Sequence, residues 1–332
     1  MKTLSRRQFL RHGTVTAGAL TVPSFFIPVA KATEEPHRIM TTANAPFTSI
    51  KVLDTAAMPW SPPINELGWK AKTLFSNQDT GDHLVIIWVP IGAPGGRNHY
   101  HTFHEWAYWL TGDFVNNEYT SPLQRIGDFQ QFREGVFLDR PAYSLHGGEP
   151  GRLDSQVGGT CLIMEEGGET IYVTPDDKNY DDAWKQVKQW TVPRIIDTIS
   201  ELPWEPYDAA EGIGIKRLAD DQVRGFRAVM WLLPAGWKAP GNGQFGRAHY
   251  YKQAHQFNYI LNGDLQLQSW SSPEEKAEQI RLTKDFYFEK APMAISGLAD
   301  GTVSETGCVW LQVTYARGTS IPNIPIEDAV YI

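Results

Sequence analysis

The sequence predicts an all-β protein of two tandem jelly-roll barrels joined by a short connector helix, and three observations carry that prediction. The chain of 332 residues holds 22 Pro and 29 Gly, a composition that suits many short strands and turns better than a helical bundle. Its apolar runs are short: Leu84 to Val89, Trp106 to Leu110, Leu162 to Met164 and Ile171 to Val173, then Ala228 to Leu233, Phe257 to Leu261, Phe286 to Phe288 and Val309 to Val313. Gly, Pro, Asn and Asp separate them, as in antiparallel sandwiches. The third observation is an internal duplication. Asp54-Thr55 followed by Met58-Pro59-Trp60-x-Pro62 recurs as Asp197-Thr198 followed by Leu202-Pro203-Trp204-x-Pro206. Lys72-x-Leu74 recurs as Lys216-x-Leu218, and Trp88 as Trp231. At a fixed offset of 151, His104-Glu105, Tyr108 and Gly112-Asp113 then match His255-Gln256, Tyr259 and Gly263-Asp264, while Phe137 and Pro141 match Phe288 and Pro292. Two similar barrels are the simplest source of such a repeat.

Taken in order, residues 1–32 read as an address. They hold five Lys/Arg and no acid, so the remainder carries 25 basic against 38 acidic residues, a balance that argues against a nucleic-acid partner. Ser5-Arg6-Arg7-Gln8-Phe9-Leu10 resembles a twin-arginine export signal, Val15 to Val29 supplies the apolar stretch, and Ala30-Lys31-Ala32 resembles a signal-peptidase site. Pro23 and Pro28 interrupt a run already short for a membrane span. The expectation is cleavage after Ala32, a periplasmic or secreted product, the twin-arginine translocase as a transient partner, and no stable membrane insertion. Residues 33–48 are expected as an extended arm and 49–174 as the first barrel. Within 175–194, Ala183, Trp184, Val187 and Trp190 fall at helical spacing, which gives the connector helix. Residues 195–332 form the second barrel. Cys161 and Cys308 each lie in an apolar run and read as buried free thiols.

The chemistry is concentrated in the first barrel. His99 and His101, one residue apart, point the same way from a strand, and Glu105 can return to that face after a short turn. His146 closes the set from a neighbouring strand. Three neutral imidazoles and one carboxylate suit one divalent first-row transition metal, Mn, Fe, Co, Ni, Cu or Zn. In the second repeat the offset of 151 places Tyr250, Lys252, Gln256 and Gly297 at these positions; a one-residue slip instead aligns His249, Tyr251 and Gln256. Neither set is a promising metal site. Arg97, two residues before His99, and Tyr143 are the candidate substrate contacts, with Tyr100 and Arg140 nearby. No catalytic acid or base is assigned, and His104 is expected to face away from Glu105, toward a surface or interface.

These residues carry a resemblance. His99-x-His101-x3-Glu105-x6-Gly112 resembles the first cupin motif and Gly135-x5-Pro141-x4-His146 the second, with Tyr143 where the family has Gly. Over residues 48 to 318 the chain is similar to bicupins, and the phrases around Arg140-Pro141 and in the second repeat look like ChrR-like cupins. That group includes non-haem dioxygenases and zinc-binding anti-sigma modules; an export signal fits the latter poorly. The resemblance implies a metal-dependent dioxygenase acting on a small enolisable or phenolic substrate, with iron as the favoured ion and manganese, copper or zinc as alternatives. The alternatives are a redox-neutral decarboxylase, lyase or isomerase, and a binding or sensing cupin without turnover. A homo-oligomer is compatible with any of them.

Overall fold

The computed structural model of the protein describes residues 46–121, 124, 127–148, 152–173, 191–221, 223–239, 246–315 and 329–332. The export signal, residues 33–45 of the arm and the connector helix lie outside the described residues. No helix occurs among those described, and none there is long and apolar enough to cross a membrane.

The first half contributes β1 (Lys51–Asp54), β2 (Lys70–Ser76), β3 (His83–Val89), β4 (His99–His101), β5 (Glu105–Glu118), β6 (Asp128–Arg133), β7 (Val136–Arg140), β8 (His146–Gly147), β9 (Gly159–Glu165) and β10 (Thr170–Tyr172). The second contributes β11 (Arg194–Asp197), β12 (Glu205–Asp208), β13 (Ile213–Asp221), β14 (Phe226–Leu233), β15 (His249–Tyr251), β16 (His255–Trp270), β17 (Glu278–Thr283), β18 (Phe286–Lys290), β19 (Ile295–Leu298), β20 (Cys308–Tyr315) and β21 (Ala329–Tyr331). The strand order β10-β4-β8-β5-β9-β3-β2 in one half is repeated as β21-β15-β19-β16-β20-β14-β13-β12 in the other. Each barrel is built around one long strand. β5 pairs with β7 and β9 up to Gly112, then with β6 and β8. A register shift between Trp109 and Thr111 and a left-handed Gly112 (φ 75°) make that corner. A side chain at Gly112 would meet the Gly158 carbonyl oxygen at 1.9 Å, so only glycine lets the two strands approach there.

The two halves exchange a strand. β1 pairs with β18 of the second half, and β11 pairs with β7 of the first, so residues 51–54 do not lie in the sheet of the barrel that follows them. The duplicated sequence phrase is the clasp that holds this exchange. Thr55 donates through its amide and hydroxyl to the Asp285 carbonyl (3.0 and 2.6 Å), and Thr198 does the same to Gly135 (3.0 and 2.6 Å). Lys72 donates to the Thr55 carbonyl at 2.7 Å and lies over the Trp60 ring; Lys216 repeats both contacts with Thr198 and Trp204.

Alternation along each strand divides the core. On β5, Trp106 and Tyr108 join Leu84, Phe137 and Met164 in an apolar layer shared with Phe226, Phe257, Tyr287 and Val313 of the second barrel. Ala107 and Trp109 face the other way, into the first barrel, beside Val85, Ile87 and Cys161. Burying a large side chain fully in such a layer contributes roughly 1.5–3 kcal/mol. Cys161 and Cys308 are buried free thiols, one in each barrel.

Candidate metal centre

The first barrel brings His99, His101 and His146 together. β4 supplies the first two on one face, and the pairing of His99 with His146 brings in the third. Each ring offers a nitrogen within 4.8 Å of the others. The outer nitrogen of each is already engaged. His99 Nδ1 donates to the Arg97 carbonyl at 2.8 Å, His146 Nδ1 to the Ser144 carbonyl at 3.0 Å, and His101 Nδ1 bonds the Thr170 hydroxyl at 3.0 Å. The Nε2 atoms are thereby left to face one another, as outer hydrogen bonds orient metal-binding imidazoles. Removal from water keeps His99 neutral, its pKa pushed down to about 3, and His101 beside it adds to the effect. Burial lowers His146 well below the ordinary imidazole range as well. His99 and His146 turn their Nε2 lone pairs toward one point beside His101, and such lone pairs repel unless a cation lies between them, so the donor set fits a divalent metal.

Glu105 stands beside this triad rather than within it. Its Oε2 lies 3.2 Å from His101 Nε2, while Oε1 accepts from Arg140, whose guanidinium also reaches Glu118. Burial by itself would raise the Glu105 pKa; the Arg140 charge and the His101 contact outweigh it and hold the group at about 2. Glu118 shows the opposite balance: burial raises its pKa despite Arg140, and its Oε2 has no hydrogen-bond partner. Arg140, set aside in the sequence as one of several helpers, is thus the buried cation that keeps Glu105 ionised.

These groups border a cavity of about 520 Å³, walled by Trp69, Val85, Ile87, Trp109, Phe114 and Ile163. Arg97 lines it, with its guanidinium 5.7 Å from the Tyr172 ring centre. Tyr143 does not line it. Its left-handed backbone (φ 68°) and the bond from its amide to the His101 carbonyl make it a turn residue with a partly exposed side chain. Tyr100 is buried among Tyr119, Leu145 and Val173, on the face of β4 opposite the two histidines. His104 faces the barrel interface, bonded to Asp139 (2.7 Å) and Glu166 (3.1 Å), with the Phe226 ring 4.6 Å away.

Sequence reading missed His83, Glu165 and Asp154, which also line the cavity. Burial pushes the Asp154 pKa up to about 7, even though its Oδ2 accepts from the Gly96 amide at 2.9 Å. The signal available for His83 was its position as the polar residue opening the apolar run of β3.

In the second barrel the register corrects the offset. His249 pairs with Ser296 as His99 pairs with His146, and Gln256 pairs with Lys290 as Glu105 pairs with Arg140. The equivalents of the four candidate ligands are therefore His249, Tyr251, Gln256 and Ser296: the one-residue slip holds, and Ser296 replaces Gly297. His249 Nε2 is taken by the Tyr251 hydroxyl at 2.9 Å. Among the described residues the triad of the first barrel is the one metal-competent cluster found.

No known family model matches the sequence, and no curated protein matches it. In three dimensions the chain is similar to oxalate decarboxylase from Bacillus subtilis solved at pH 4.6, with a TM-score of 0.52 and 11% identity over 82% of this chain and 78% of that one. A mutant of the same enzyme aligns at a TM-score of 0.54 and 11% identity, covering 88% and 82%. A structure from work on its Mn(II) centres aligns at 0.53 and 11%, with the same coverage. At this identity the likeness bears on the fold alone, and it agrees with the two tandem barrels: this chain is folded as a bicupin.

Proposed function

We propose that this protein is a divalent-metal-dependent enzyme of redox-neutral type, a decarboxylase or related lyase. Its substrate would be an enolisable carboxylate whose apolar body exceeds a two-carbon acid. The observation that carries this reading is the triad of converging imidazoles with Arg-held Glu105, set in the wall of a cavity of about 520 Å³ with aromatic and aliphatic sides. That volume lies in the range of sites for ligands of many atoms. His99, His101 and His146 would hold the ion, with Glu105 beside them as the available fourth donor, and the ion when bound supplies Lewis-acid polarisation of a substrate oxygen. Arg97 would pair with a substrate carboxylate, and the apolar walls would exclude water from the reacting carbon. Mn(II), named for the similar decarboxylase, supports manganese as the ion, with iron as the competing choice.

The oxygenase reading is kept for one observation: the same apolar walls suit an aromatic diketone or phenol together with O2. A single assay separates the two. The protein is purified from its native compartment, its metal measured, and aromatic keto acids, diketones and hydroxyaryl ketones tested for CO2 release and O2 uptake in parallel. Metal-dependent CO2 release without uptake supports the lyase; stoichiometric uptake overturns it in favour of the oxygenase. Residues 1–32 support export by the twin-arginine route, and the amino terminus of the exported protein is expected at residue 33.

A further inference from the structure

A polar row crosses the first barrel at the level of Glu105. Arg140, Glu105, Glu165, His83 and Ser76 are successive cross-strand partners on β7, β5, β9, β3 and β2, and all five line the cavity. Directly paired residues share a face, and adjacent strands lie about 4.8 Å apart, so His83 is roughly 10 Å from Glu105 across the sheet. Two residues further along the same strands come Val85, Ala107 and Ile163, where the apolar part of the barrel begins.

His83 and Glu165 meet side by side in the cavity wall. His83 Nδ1 lies 3.0 Å from the Gly81 carbonyl oxygen, which can only accept, so Nδ1 carries hydrogen. His83 Nε2 lies 3.1 Å from Glu165 Oε2. A neutral ring protonated at Nδ1 would set a lone pair against a carboxylate, which is repulsive. The contact is bonding only when one further proton sits on Nε2 or on the carboxyl oxygen. The duplicated barrel tests the association internally: at the same register it has Arg227 and Thr314 beside Gln256, so the pair and the metal-competent set are absent together.

We propose that the His83–Glu165 pair is the proton donor for substrate bound in this cavity. The inference rests on the redox-neutral reading above. When the bond to the departing carboxyl group breaks, its electron pair stays on the substrate carbon; a C–H bond forms there with the proton held by the pair. The pair is left as neutral imidazole and carboxylate, and water restores the proton. Neither residue is a candidate metal ligand, so metal binding does not depend on them.

The test uses the full mature chain loaded with Mn(II) and phenylpyruvate as the probe, following exchange of its enolisable hydrogens in D2O. H83N and E165Q are expected to retain metal at the wild-type ratio and to lose exchange by about 10²-fold or more, whereas H101A loses metal and exchange together. Wild-type exchange rates in metal-loaded H83N overturn the proposal while leaving the metalloenzyme reading intact; no exchange by the wild type counts against that reading instead. A second measurement is independent of turnover. In ¹⁵N-histidine NMR of the Zn(II)-loaded chain, the proton shared with Glu165 is expected at His83 Nε2 and is lost in E165Q. An Nε2 in the wild type that senses no shared proton overturns the proposal whatever the probe does.

Discussion

At the scale of single residues, the centre depends on which nitrogen of each imidazole is committed elsewhere. The Arg97 and Ser144 carbonyls and the Thr170 hydroxyl fix the Nδ1 atoms, and the sequence supplies each of these partners locally or across one strand. His101→Ala is therefore expected to reduce bound metal sharply, read as the metal-to-protein ratio after dialysis; undiminished metal would remove the basis of the site. Arg140 is buried between two carboxylates, and truncating it leaves both without a counter-charge. Arg140→Leu should cost about 3–5 kcal/mol in denaturant unfolding, and it should also weaken metal binding because Glu105 loses the charge that keeps it ionised. Motif spacing made the candidate ligands visible in the sequence. The role of Arg140 was not visible there, since it depends on Glu118, a residue 22 positions away that the bend of β5 brings to the same guanidinium.

At the scale of elements, the long central strand of each barrel turns its corner at a glycine. Gly112→Ala would place a methyl group against the Gly158 carbonyl in a left-handed backbone, and a loss of at least about 3 kcal/mol is expected by thermal or chemical denaturation. The exchanged strand β1 has its own electrostatic anchor. Glu289 on β18 bonds His255 at 2.9 Å and lies 3.6 Å from Lys51 of β1. Burial would raise its pKa; the His255 hydrogen bond and charge, with Lys51, outweigh burial and leave it below the ordinary carboxylate value. A depressed carboxylate pKa stabilises the fold above the unfolded value, near 4.3, and that stability is lost as pH falls through the folded pKa. Glu289→Gln should accordingly flatten the fall in melting temperature between about pH 5 and pH 3 relative to the wild type. An unchanged acid limb would show that Glu289 does not contribute.

At the scale of the whole molecule, the barrels share one apolar layer and trade β1 for β11, so neither half closes its sheet alone. One cooperative thermal transition is expected for the full chain, and residues 49–174 expressed alone should be insoluble or unfolded by circular dichroism. Two separable transitions would contradict the shared core. The sequence by itself determined the two tandem barrels, through short punctuated runs and a repeated phrase, and it determined the candidate ligand set, because both signals are local spacings. Only the tertiary structure decided that the repeated Asp-Thr…Pro-Trp-x-Pro…Lys phrase is an inter-barrel clasp, that the true offset slips to 150 at His99 and His146, that Tyr143 turns away from the cavity, and that His83 and Glu165 join the row of Glu105. The physical reason is register. Which residues face one another across a sheet is set by turns, bulges and pairings far apart in the chain, and one extra residue in a loop or bulge changes those partners without erasing the local pattern.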